Sequence, residues 1–131
     1  AIDVASKRIQ QPGFRFQACD IRVGEIQPAD LTVFLGLTDW LNGAELELLF
    51  SQIQSTHVLF SYTDSLKLSR LNPYRWYRSI VDRPVNESSY QARSYSFTEI
   101  RSVLSKNDFS WEVLSQPTLK NPGVLIWGER K

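Results

Sequence analysis

The 131-residue sequence contains no methionine, one cysteine (Cys19) and one histidine (His57). A lone cysteine forms no internal disulfide, and thiolate metal sites need several, so a disulfide-stapled scaffold is excluded and a reducing, cytoplasmic setting is expected. With a single histidine there is almost nothing from which to assemble a zinc triad or a Cys/His/Asp constellation, and no metal is expected. An excess of charge of either sign is also lacking. Fifteen basic and fourteen acidic side chains leave a formal charge of +1, which creates no long-range field for polyphosphate or an anionic membrane. Long apolar runs are missing too: stretches such as Val33 to Leu37 fall far below the roughly 20 residues that cross a bilayer. Neither a spanning segment nor a signal peptide is expected. Glycine is sparse, and Gly13, Gly24, Gly36 and Gly43 are dispersed rather than gathered into a phosphate- or cofactor-cradling loop.

What is present is the composition of a soluble globular domain, with 42% hydrophobic and 22% charged residues, in a chain long enough for one core and too short to expect two. Residues 1–131 are therefore read as a single domain. The chain opens on Ala1-Ile2-Asp3-Val4, which has the look of a strand interior, so an upstream segment is expected.

Along the chain, Ile2 to Val4 reads as a strand, and Ala5 to Gln11 as a helix stopped by Pro12-Gly13. Phe14 to Ala18 alternates with period two and is followed at once by Asp20. Leu31-Thr32-Val33-Phe34-Leu35 is a near-continuous apolar run of the type buried on both faces of a parallel sheet, ended by Gly36. Asn42 and Glu45 stand at capping-box spacing ahead of Leu46, Leu49, Phe50 and Ile53, which share one helical face. Val58 to Tyr62 is a further buried-type strand. Residues 64–95 carry scattered arginines and aromatics without a period and read as an insertion or lid. Ser96 and Glu99 repeat the capping-box spacing before Ile100, Val103 and Leu104, and Asn107-Asp108 supplies a left-handed helix end. Phe109 to Val113 and Val124 to Trp127 are two last strands, joined so that they pair antiparallel. Strands alternating with helices predict a mainly parallel α/β sheet with an antiparallel strand at its C-terminal end.

These segments together resemble class I S-adenosylmethionine-dependent methyltransferases, whose fold is Rossmann-like. The likeness lies in Ile2-Asp3-Val4-Ala5-Ser6 as second strand and Phe14 to Asp20 as third strand with its terminal acid. It continues in Asp30 to Leu37 as fourth strand and in Tyr95 to Ile100 with Asn107-Asp108-Phe109 as last helix and turn. It covers nearly the whole chain except 64–95. The first strand and its glycine-rich loop have no counterpart, so the domain reads as N-terminally incomplete. In this family that strand lies at the centre of the sheet, and its loss would orphan backbone groups at roughly 1–3 kcal/mol each. The expectation is that an N-terminal segment, or a second copy of the chain, completes the working protein.

The resemblance implies S-adenosylmethionine as cofactor. A carboxylate at a strand's carboxyl end in the crevice of an open α/β sheet can accept both ribose hydroxyls, which is the role implied for Asp3, with Val4 beside it. Capping of the following helix is the other reading of Asp3. Asp20 is implied near the adenine amino group and Ile21 against the base, although a turn-forming aspartate remains open. Gly36 and Leu37 are implied beside the methionine portion of the cofactor, where a missing side chain permits close approach; an ordinary sharp turn is the alternative.

Methyl transfer chiefly requires alignment of the acceptor and exclusion of water, so no catalytic base is assigned. Segments above the carboxyl edge place Trp40, Tyr62, Arg93 and Tyr95 as candidate acceptor contacts. The expected function is methyl transfer to a small-molecule acceptor. A noncatalytic methyltransferase-like binding domain is the alternative from another class. RNA or DNA methylation is disfavoured by the weak field, since 64–95 holds six basic and three acidic residues. A dinucleotide-dependent oxidoreductase would also use Asp3 but does not suit the antiparallel terminal strand. His57, at the start of its strand, reads as structural.

Overall fold

The computed structural model describes residues 20, 21, 24, 26–65, 93–118 and 121–131. The strands expected at Ile2 to Val4 and Phe14 to Ala18, and the helix between them, lie outside the described residues, as does most of the 64–95 insertion.

Within the described residues the order is β1 (Leu31–Phe34), a 3-10 turn (Thr38–Trp40), α1 (Gly43–Gln52), β2 (His57–Thr63), α2 (Phe97–Lys106), β3 (Phe109–Ser115) and β4 (Gly123–Arg130). Both helices start where local chemistry starts them. The Asn42 side chain accepts from the Glu45 N–H at 2.9 Å while the Glu45 carboxylate accepts from the Asn42 N–H at 2.7 Å. Ser96 and Glu99 repeat this arrangement at 3.3 and 2.7 Å. Each box satisfies backbone donors that a helix start leaves open, and loss of the cap residue costs about 1 kcal/mol. The two N–H and O–H bonds from Ser96 hold the Glu99 carboxyl below its ordinary pKa. At the other end of α2, Asp108 adopts a left-handed φ of 59°, as the Asn-Asp pair predicts.

The four described strands lie in the order β1-β2-β4-β3. β1 and β2 are parallel, Leu31 opposite His57 and Phe34 opposite Phe60. β4 is antiparallel to both β2 and β3. The last strand therefore pairs with β3, as the turn-rich connection between them predicts, and it also separates β3 from β2. This is the Rossmann-like methyltransferase sheet that the sequence implies, a parallel pair with an antiparallel C-terminal strand.

One face of the sheet is covered by both helices. Phe34, Val58, Phe60, Tyr62, Val124 and Ile126 meet Leu46, Leu49, Phe50 and Ile53 of the α1 region and Ile100, Val103 and Leu104 of α2 in one buried cluster. Phe50 stands edge-on to Phe34, Phe60 and Phe109, with centroids 5.6, 5.1 and 6.2 Å away, while Phe34 and Phe60 stack at 5.3 Å. Edge-to-face packing of this kind adds to what area burial alone contributes.

The reading of Leu31 to Leu35 as buried on both faces is corrected. Leu31, Val33 and Leu35 are 41%, 50% and 62% exposed, and of this run only Phe34 reaches the core. The reason is that α1 and α2 both lie on the Phe34 side, and among the described residues no helix covers the opposite side of β1.

Candidate functional site

Parallel pairing starts β1 and β2 at the same level, Leu31 opposite His57, so both chains leave the sheet at the same edge, β2 running on past Phe60 to Thr63, and in open α/β sheets such a carboxyl edge is where ligands bind. The chain leaving β1 there turns at Gly36 with a φ of 72°, and a Cβ at this position would meet nothing within 4 Å. Glycine is thus required by the backbone conformation, and the space beside it is open. Leu37 next to it is half-buried against the core, and Trp40, at the end of the 3-10 turn, is 43% exposed.

This turn is bonded to the end of β2 by side chains on both segments. The Gly36 N–H donates to Ser61 Oγ at 2.9 Å, and Thr38 Oγ1 donates to the Ser61 carbonyl at 2.5 Å. Asp39 accepts twice from one residue, from the Thr63 N–H at 2.9 Å and from Thr63 Oγ1 at 2.6 Å. Thr38 and Thr63 are both buried. Their polar groups therefore need these partners, because an unpaired buried donor costs about 1–3 kcal/mol.

The chain leaves the sheet past Ser65 and is described again from Arg93. The two stems run side by side: Asp64 and Tyr95 form a parallel bridge, the Tyr95 N–H donates to the Thr63 carbonyl at 2.9 Å, and the Ser65 N–H donates to the Tyr95 carbonyl at 3.0 Å. The Arg93 N–H donates to the Asp39 carbonyl at 2.6 Å. Tyr95 reaches inward, its hydroxyl donating to the Leu41 carbonyl at 2.5 Å.

Of the residues singled out in the sequence, Gly36, Leu37, Trp40, Tyr62, Arg93 and Tyr95 are drawn into this one edge. Tyr62 and Tyr95 are 2% and 6% exposed and belong to the core cluster, while Trp40 and Arg93 are on the surface. Burial pushes the Tyr62 phenol up to about 12, helped by the negative charge of Asp64. Burial likewise raises Tyr95, partly opposed by Arg93. Asp20 is exposed, and its carbonyl accepts from the Gly24 N–H at 2.7 Å in a tight turn. Ile21 packs against the core cluster. Asp3 and Val4 lie outside the described residues.

Four residues of the edge escaped the sequence reading: Thr38, Asp39, Ser61 and Thr63. The available signal was the break in the apolar run of β2 at Ser61 and Thr63, polar positions that a buried strand carries only when they have partners. His57 begins β2 at the opposite end, its ring 5.2 Å from that of Trp127 and its Nε2 4.0 Å from the Glu129 carboxylate. Among the described residues no group of three or more His, Cys, Asp or Glu side chains is placed to hold a metal ion, and no helix is long and apolar enough to cross a membrane. A separate groove of about 320 Å³ lies between α1 and α2, lined by Leu46, Glu47, Tyr95, Glu99 and Val103 among others.

The sequence matches no protein-family profile and no curated protein sequence. Solved structures do share its fold. Magnesium protoporphyrin IX methyltransferase from Synechocystis PCC 6803, crystallised with S-adenosylhomocysteine, superposes with a TM-score of 0.64 at 15% identity, over 98% of this chain and 57% of that one. The O-methyltransferase family 2 protein from Planctomyces limnophilus, in complex with apigenin, gives 0.68 at 17% identity over 98% and 39% of the two chains. A methyltransferase from Methanosarcina mazei gives 0.67 at 14% identity over 99% and 77%. The chain thus has the fold of class I S-adenosylmethionine-dependent methyltransferases, and spans little more than half the length of the Synechocystis protein.

Proposed function

We propose that this chain is part of an S-adenosylmethionine-dependent methyltransferase that acts on a small-molecule acceptor. The observation that carries the reading is the carboxyl edge of the parallel β1–β2 pair in a sheet of methyltransferase order, opened at Gly36 and sealed to β2 behind it. Neighbours of the same fold bind S-adenosylmethionine or S-adenosylhomocysteine; one of these is a magnesium protoporphyrin IX methyltransferase, and a further neighbour holds apigenin, which favours a small acceptor.

The residues present fit such a cofactor. Gly36 leaves space where a ligand approaches backbone, and Leu37 offers an apolar flank. On this reading Asp3 and Val4 hold the ribose, Asp20 and Ile21 the adenine, and Gly36 and Leu37 the methionine portion. The cofactor supplies an activated methyl group on a sulfonium. Trp40 and Arg93, exposed beside the turn, contact the acceptor, and the neutral, buried Tyr62 and Tyr95 support them from below and keep water out. On this reading residues 1–131 belong to a single methyltransferase-like domain, with 64–95 as a lid or substrate insertion. The single cysteine favours a reducing, cytoplasmic setting.

Calorimetry with S-adenosylhomocysteine on the natural protein, with any sequence flanking residues 1–131, tests the reading. Saturable binding that Asp3→Ala and Asp20→Ala each weaken at least about ten-fold, the effect of a lost hydrogen bond to a charged group, supports it. Absence of binding by the wild-type protein overturns it. A noncatalytic binding domain is the second reading, favoured by the exposure of Leu31, Val33 and Leu35 on one sheet face.

A further inference from the structure

We infer that Asp39 is a positioning residue that locks the cofactor-facing turn to both stems of the 64–95 insertion. The inference rests on the proposed role of Gly36 and Leu37. Three segments far apart in sequence meet at this one side chain and its carbonyl. Its carboxylate holds Thr63, the last residue of β2, through two bonds of 2.9 and 2.6 Å, and its carbonyl holds the Arg93 N–H at 2.6 Å. Thr63 in turn accepts from the Tyr95 N–H, and Ser65 donates to Tyr95. The outgoing stem at 63–65 and the returning stem at 93–95 are thus joined to each other and, through Asp39, to the turn three residues past Gly36.

The chemistry suits a lock better than a proton carrier. Both carboxylate oxygens are engaged by one residue's N–H and O–H, and bonds to an ionised acceptor are shorter and stronger than neutral ones. Thr63 is 5% exposed, so its N–H and hydroxyl have little water to turn to if the carboxylate is removed. Without the carboxylate, the 36–40 turn keeps its Gly36 and Thr38 bonds to Ser61 and the backbone bond from the Arg93 N–H to the Asp39 carbonyl, but Thr63, where the outgoing stem begins, is no longer held to the turn by a side chain, and the returning stem is held by one backbone bond. Cofactor affinity and the placement of the insertion's stems should then depend on the same residue.

Asparagine at 39 can still accept from the Thr63 N–H and can donate to Thr63 Oγ1, so it preserves geometry while removing charge; alanine removes both bonds. The experiment measures the dissociation constant for S-adenosylhomocysteine and the thermal midpoint of the natural protein. The variants are Asp39→Ala, Asp39→Asn and Thr63→Val, with Val103→Ala as a control for general destabilisation in the core far along α2. Expected results are about ten-fold weaker binding for Asp39→Ala, within about three-fold of wild type for Asp39→Asn, and an intermediate loss for Thr63→Val, which gives up one bond only. Val103→Ala should lower the midpoint with affinity unchanged. If Asp39→Ala does not fold, Thr63→Val alone decides, and wild-type affinity in it overturns the inference. Wild-type affinity in Asp39→Ala, or an equal loss in Val103→Ala, overturns it as well. A wild-type protein that binds no S-adenosylhomocysteine instead removes the functional reading, and this inference with it.

Discussion

Gly128 of β4 lies directly against Val58 of β2: a Cβ at Gly128 would come within 2.7 Å of Val58 Cγ1 and 3.5 Å of Phe109 Cδ1. The two residues are opposite each other in the antiparallel ladder, and on its other side Gly128 faces Trp111 of β3. β4 is therefore wedged between two strands whose side chains already fill the layer under α1 and α2, with Val58 and Phe109 fully buried. Absence of a side chain at 128 is what lets the antiparallel strand pass between β2 and β3 at this level.

Gly128→Ala should accordingly destabilise the protein by about 1–3 kcal/mol, the usual range for overpacking a filled core. The sign is informative, because replacing a strand glycine by alanine in open space would stabilise it. Valine cannot swing away cheaply, since its branched Cβ restricts χ1. Removing the obstacle should relieve the strain, so the double variant Gly128→Ala/Val58→Ala should lose less than the two single losses added together. Urea unfolding of the four proteins checks this, and strictly additive losses would refute the contact as the cause.

How far the fold could be read from the sequence follows the range of the interactions. Both capping boxes, Asn42 with Glu45 and Ser96 with Glu99, span three residues, and the stripes Leu46-Leu49-Phe50 and Ile100-Val103-Leu104 repeat within one helix, so both helices were legible. Alternation identified β3, and the turn-rich connection to the apolar run Val124 to Trp127 identified β4 and their mutual pairing. It says nothing of a second neighbour, and the insertion of β4 beside β2 left only Gly128 as a local trace. The run Leu31 to Leu35 misled, because apolarity reports what a strand can bury and not whether a layer lies on each side of it. At the site, Gly36 was visible as a break after an apolar run. Asp39 was not, because its meaning depends on Thr63, twenty-four residues away.

Alkaline pH should reveal the buried Tyr62. Its phenol is raised from 10.0 to about 12 by burial first and by Asp64 second, so the folded state prefers the neutral form more than the unfolded chain does. That contribution is complete below pH 10 and is lost as pH rises through the window from 10 to about 12. Each pH unit inside the window removes about 1.4 kcal/mol, and so about 2–3 kcal/mol by its upper end. Tyr62→Phe should flatten this fall, leaving a smaller slope in the same direction from Tyr95, which burial also raises. Stability measured by urea unfolding between pH 8 and 12 tests it; a slope identical in wild type and Tyr62→Phe would rule Tyr62 out as its source.

Two described residues sit in the left-handed region, Gly36 with φ 72° and Asp108 with φ 59°, and they should respond to substitution differently. At Gly36 an added Cβ meets nothing within 4 Å, so the cost of Gly36→Ala is conformational and should be about 1–2 kcal/mol. Asparagine tolerates this conformation, so the bulkier Gly36→Asn should cost less than Gly36→Ala. At Asp108 the strain is already carried by a residue with a Cβ. Asp108→Gly relieves it while adding freedom to the unfolded chain, and the net change should stay within about 1 kcal/mol. Thermal midpoints of the three variants decide the matter. A larger loss for Gly36→Asn than for Gly36→Ala would mean that crowding, and not backbone conformation, requires glycine at the turn that opens the site.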